Sequence, residues 1–172
     1  MMSRMRPVLA CVLVIAAAAP ALGGCGGSSG DDGPTRAEYI AATDARCTAS
    51  NKRTRELNVQ LRRAAASASD DRDLLRRLAP ILQRGYASVR DNAAAFEAAD
   101  PPAADAAEVE RIRDAYDEQA QQVRKLAAAA RRGDIAAFGS LSEAQKAIIT
   151  RARRLAREYG FRECGSSRSD AG

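Results

Sequence analysis

Histidine and tryptophan are both missing from the 172 residues, and aromatic side chains make up only 4% of the chain. Without histidine there can be no serine–histidine triad, no histidine-ligated metal, and no Glu-x-x-His pair of the di-iron kind. None of the four cysteines forms a C-x-x-C pair, and no glycine loop joins a strand to a helix to cradle a phosphate. Carboxylates do gather, at Asp70, Asp71 and Asp73 and again from Asp105 through Glu108, Glu110, Asp114 and Asp117 to Glu118. Both groups fall in first turns of expected helices or on exposed faces, where negative charge complements the helix dipole. Glu110 and Asp114 alternate with Arg111 and Arg113, a pattern of ion-paired solvent faces, and the loop spacing of a calcium site is absent. No catalytic residue, metal ligand or cofactor site follows from these residues. The expectation is a protein that is not an enzyme.

Long apolar runs are also lacking. The run at residues 8–19 (VLACVLVIAAAA) has 12 residues, against the roughly 20 that a membrane-spanning helix needs. Its setting gives it another meaning. Residues 1–7 (MMSRMRP) are short and basic, and residues 20–24 (PALGG) break a helix and supply small side chains. A positive end, an apolar stretch and a small-residue cleavage site are the layout of a secretory signal. Met5 separates the two arginines, which argues against a twin-arginine signal.

Leu22-Gly23-Gly24-Cys25 resembles the lipobox of bacterial lipoproteins, with Gly23 a departure from the usual alanine or serine. The resemblance implies a diacylglyceryl group on the Cys25 sulfur, cleavage before Cys25, and fatty acyl chains such as palmitate holding the protein on the extracytoplasmic face of the cell membrane. The blander alternative is an ordinary secretory signal followed by a chance cysteine. Cys11 is excluded as the modified residue because it sits inside the apolar run. Two acyl chains suffice for stable anchoring, since each buried methylene contributes about 0.8 kcal/mol and one chain alone is marginal. Residues 26–34 (GGSSGDDGP) read as a flexible tether with an r.m.s. reach of roughly 15 to 18 Å. The net charge is +5, of which Arg4 and Arg6 would leave with the signal. A basic balance without aromatics to stack bases does not make a nucleic-acid-binding protein.

From Thr35 onward the pattern is helical. Alanine, arginine and glutamate with scattered leucines lose little rotamer freedom in a helix. Thr35-Arg36-Ala37-Glu38 is a capping box after Pro34, and Ile40, Cys47, Leu57 and Leu61 share one face of a first helix reaching about Ala68. A second follows Ser69-Asp70-Asp71, carries Leu74 to Phe96, and meets Pro80, where a kink or a split is expected. A third spans about 104–130 with a Val109, Ile112, Tyr116, Val123 and Leu126 stripe. Gly133-Asp134 reads as a stop and a new cap. The fourth ends at Gly160, and Ser140-Leu141-Ser142-Glu143 offers a place for it to restart. Nothing alternates with period two. The expected fold is all-α, an antiparallel four-helix bundle over 35–164, after a signal (1–24) and tether (25–34) and before a disordered tail (165–172).

With Cys11 removed and Cys25 lipidated, Cys47 and Cys164 remain, and outside the cytoplasm two remaining thiols usually pair. In an up-down-up-down bundle the start of the first helix lies beside the end of the fourth, so the two can meet. Three features together resemble small helical lipoproteins of actinobacteria: the lipobox, Tyr39-Ile40 followed by Asp44 and Cys47, and the closing Tyr159-Gly160-Phe161-Arg162-Glu163-Cys164-Gly165. That resemblance implies a compartment and a disulfide, and no activity. Arg151, Arg154 and Arg157, with Arg153 and Arg162, make the last helix end basic. Arginine there complements the dipole, and the sharper reading is contact with anionic lipid head groups. Tyr39, Tyr86, Tyr116 and Tyr159 read as core residues with wet hydroxyls. The functional expectation is a bundle presenting a surface to an envelope protein or to the membrane. The alternative is a small-molecule or lipid-binding module with a groove between helices, opened at Pro80.

Overall fold

The computed structural model describes residues 33–166. The signal sequence, the lipobox, all but the last two tether residues and residues 167–172 lie outside that range. Four helices follow in order: α1 (Arg36–Ser67), α2 (Asp71–Glu97), α3 (Ala106–Arg132) and α4 (Ile135–Tyr159), with a single 3-10 turn at Ala103–Asp105 leading into α3. The fold is an all-α four-helix bundle, and no strand occurs among the described residues. Successive helices pack on one another, α1 on α2, α2 on α3 and α3 on α4.

The helix starts are set by short polar side chains. Glu38 accepts the Thr35 N–H at 2.9 Å and the Thr35 hydroxyl accepts the Glu38 N–H, so both halves of the capping box are present. Asp70 accepts the Asp73 N–H at 2.8 Å and Asp134 accepts the Ala137 N–H at 3.0 Å. These bonds hold the Glu38 and Asp70 carboxyls below their ordinary range. Asp73 is also lowered, first by the Ser69 N–H and then by Arg77. Gly133 and Gly160 end α3 and α4.

Of the kink or split expected at Pro80, the split does not occur: α2 is continuous through Pro80, which is exposed. Likewise α4 runs unbroken past Ser140 and Ser142. Their hydroxyls donate back to the carbonyls of Ala137 at 3.1 Å and Phe138 at 2.8 Å, the mid-helix alternative to capping.

The core is unequal along its length. At the end where α1 begins and α4 finishes, Tyr39, Phe96, Tyr116, Tyr159 and Phe161 pack with ring centroids between 5.0 and 6.2 Å. Such a cluster adds edge-to-face attraction to the apolar burial of large rings. The opposite end is aliphatic: Leu75, Leu78 and Ile81 of α2 meet Ala64 of α1 and Ala130 of α3, with Leu57, Leu61 and Phe138 only half-buried around them. In α4 the fully buried residues are Ala152, Ala156 and Tyr159, all in its last third. Alanines on α3 (Ala115, Ala120, Ala127, Ala129 and Ala130) are buried against its neighbours, and small side chains there let the helices approach closely.

Candidate functional site

The most organised cluster of polar and reactive groups sits where α4 ends. Gly160 takes φ 116°, where an L side chain would be strained, and a Cβ there would come 3.1 Å from Ile40. The chain can therefore turn back at this glycine. Residues 160–166 then lie against α1, and Phe161 is driven into the aromatic cluster at 1% exposure.

Asp44, one turn before Cys47 on α1, receives the returning backbone. Its carboxylate accepts the N–H groups of Arg162 at 2.9 Å and of Glu163 and Cys164 at 3.0 Å each. Three N–H groups that would otherwise lack helical partners thus share one charged acceptor, a stronger arrangement than neutral bonds. Cys164 is then bonded to Cys47, with Cα atoms 5.2 Å apart. Asn51 donates to the Glu163 carbonyl at 2.9 Å, Arg157 donates to the Gly165 carbonyl at 2.9 Å, and the Tyr116 hydroxyl donates to the Cys164 carbonyl. Gly165 is buried and can only be glycine, because a Cβ would sit 2.6 Å from the Arg157 side chain and 2.9 Å from the Phe161 carbonyl. The structured segment therefore extends through Gly165 and Ser166, two residues past the boundary expected at Cys164.

Arg36 completes this end. It donates to the Tyr159 carbonyl at 2.8 Å, lies 4.0 Å above the Tyr159 ring, and approaches Asp105 and Glu108 at 3.9 and 3.8 Å. The Tyr159 hydroxyl donates to Asp105 at 2.8 Å. Burial raises the Tyr159 and Tyr116 hydroxyls above their ordinary value, with the Asp105 bond adding to the rise at Tyr159. Both phenols therefore stay neutral and act as donors. Every polar group named here is engaged in holding backbone or a neighbouring side chain, and the thiols are consumed in the disulfide. The arrangement is a clasp, and nothing in it is placed as a nucleophile or a general base.

The arginines expected to meet lipid head groups are already engaged. Arg151 pairs with Glu118 of α3, Arg154 pairs with Glu158 at 3.1 Å, and Arg157 holds the Gly165 carbonyl. A shallow recess of about 400 Å³ lies between α1 and α2, lined by Leu57, Ala87 and Ser88 and edged by charged groups. Arg84 bridges it to Gln60 at 2.6 Å and Arg53 pairs across it with Asp91. Among the described residues no group of acidic or cysteine side chains could hold a metal ion, and no helix is long and apolar enough to cross a membrane.

The clasp was only partly visible in sequence. The cysteine pair was, but Asp44 and Arg36 act on residues more than 110 positions away, and no local spacing marks such partners. No family model matches the chain, and none of the curated proteins or solved structures matches it.

Proposed function

We propose that the chain is a lipid-anchored lipoprotein of the cell envelope, without catalysis of its own, whose bundle presents a surface on the extracytoplasmic side. The observation that carries this reading is Leu22-Gly23-Gly24-Cys25 placed directly after a basic end and a 12-residue apolar run. The glycine- and serine-rich stretch that follows would then serve as tether to a domain that starts, with a complete capping box, at Thr35. A disulfide closing the two ends of that domain fits an oxidising compartment, since cytosolic thiols are kept reduced. The absence of histidine and the occupied state of the clasp residues support a non-catalytic role.

Replacing the anchor residue tests the reading. Cys25→Ser should abolish incorporation of labelled fatty acid and move the protein out of the membrane fraction. Unchanged membrane retention and labelling would contradict it. A second reading, small-molecule binding, is favoured only by the recess between α1 and α2. Its charged rim is neutralised by its own ion pair and hydrogen bond, so a ligand would have to displace them. Native mass spectrometry of the Cys25→Ser protein would reveal a co-purified small molecule if that reading holds.

A further inference from the structure

The two halves of the bundle carry opposite charge. The half away from the clasp, residues 52–84 and 120–147, holds 14 arginines and lysines against six aspartates and glutamates. The clasp half, residues 35–51, 85–119 and 148–166, holds 10 against 13. The first is therefore near +8 and the second near −3.

Pairing sharpens the difference. In the clasp half Arg36, Arg113, Arg151, Arg154 and Arg157 have partners, and Arg46, Arg90, Arg111 and Arg162 are exposed without a side-chain partner among the described residues. At the other end nine cations, Lys52, Arg55, Arg62, Arg63, Arg72, Arg124, Lys125, Arg131 and Arg132, are exposed with no partner among the described residues. Dipole complementarity accounts for only part of this set. Arg131 and Arg132 lie in the last turn of α3, where a cation is stabilising. Arg62 and Arg63 do not, since the last turn of α1 has no basic residue, and Arg72 stands in the first turn of α2, where a cation opposes the dipole. Val59, at 37% exposure one of two large apolar side chains left to solvent among the described residues, sits on the same outer stripe of α1 as Arg55, Arg62 and Arg63.

We infer that this arginine-rich end is a contact surface for a polyanion with repeating phosphate groups. Seven of the nine exposed cations without a partner there are arginine, Lys52 and Lys125 being the others, and the planar fork of arginine matches phosphate oxygens in pairs, where lysine offers a point charge. The end also points away from where the chain enters the bundle: α1 has 32 residues and is about 48 Å long at 1.5 Å per residue. Under the anchor reading proposed above, on which this placement rests, the arginine-rich end is the end of the domain not joined to the tether. A phosphate polymer outside the membrane fits that geometry better than the lipid surface itself.

The test uses the chain carrying Cys25→Ser, so that no acyl group contributes, with inorganic polyphosphate as probe. Binding should weaken steeply with ionic strength, as expected for exposed charges. The combined substitution Arg62→Ala, Arg63→Ala, Arg131→Ala and Arg132→Ala should weaken it at least about tenfold. Removing the same charge from the clasp half, by Arg46→Ala, Arg90→Ala, Arg111→Ala and Arg162→Ala, should change it less than about twofold. Equal losses from both sets, no binding at physiological ionic strength, or tighter binding to phosphatidylglycerol vesicles than to polyphosphate would overturn the inference. Each of those results leaves the fate of wild-type Cys25 untouched, so failure here and failure of the anchor reading are told apart.

Discussion

One end of this bundle is held by almost every kind of bond a protein can make, and the core of the other is mainly aliphatic. At the clasp a disulfide, an aromatic cluster, a carboxylate gathering three backbone N–H groups, and a guanidinium stacked on a ring converge on residues 160–166 and the first turns of α1. At the far end Leu57, Leu61 and Phe138 are only half-buried. Buried polar atoms without partners do not separate the two ends, since Thr43 and Asn92 of the clasp half match Asn58 and Gln145 of the far half. Stability is concentrated where the chain enters the domain, and unpaired charge where it is farthest from that entry. A tethered domain needs its covalent and packing strength near the tether, and a surface meant for contact needs exposed groups that are not already satisfied.

The largest effect should come from the disulfide. Cys47→Ala or Cys164→Ala removes a link across 117 positions, and each should lower stability to denaturant by about 4–5 kcal/mol in the chain-entropy model. The two losses should be alike, because either substitution breaks the same bond. A loss under about 1 kcal/mol from either would show that the clasp does not depend on it. Next in size is Phe161→Ala, which should cost about 3–5 kcal/mol for a buried ring. Its counterpart at the far end, Leu61→Ala, should cost only about 1–2 kcal/mol because that side chain is half-buried. Equal values would erase the difference between the ends.

Asp44→Asn keeps the shape but weakens three charge-assisted bonds, with an expected loss of about 1–3 kcal/mol in the same measurement. The smallest change concerns pH. Glu38, Asp70 and Asp73 are held below the ordinary carboxyl values of 4.5 and 3.8. Their contribution is full above those values and is lost as pH falls through the lower folded ones. Tyr116 and Tyr159 are held above 10.0, so the unfolded chain ionises first and stability falls as pH rises past 10. With no histidine, thermal stability should be flat from about pH 5 to 9. A marked slope within that window would mean that a group titrating there changes its surroundings on folding.

Much of the architecture was legible because it is written locally. Thr35 with Glu38, Asp70 with Asp73, and Gly133 with Asp134 announce helix ends within four residues. The pairing of Cys47 with Cys164 followed from elimination and topology. Three things were less legible. Pro80 and the Ser140–Ser142 stretch look like breaks, yet both helices continue, and the serine hydroxyls bond back to carbonyls of their own helix. The inner face of α1 includes Thr43, Ser50 and Asn58, while Val59 faces solvent, so hydrophobic periodicity alone misplaces it. Ser50 is buried by donating to the Ser88 carbonyl of α2 at 2.7 Å, a partner on another helix. The ion pair of Arg151 with Glu118 is likewise a property of the packed molecule, which is why a basic helix end could pass for a free one.

Intact mass of the protein recovered from membranes bears most directly on the proposed anchored, oxidised molecule. The expected mass is that of a chain beginning at Cys25, carrying a diacylglyceryl group, and lighter by two hydrogens than its thiol form. A product that starts at another residue, bears no lipid and keeps both thiols would contradict the anchor and the compartment together.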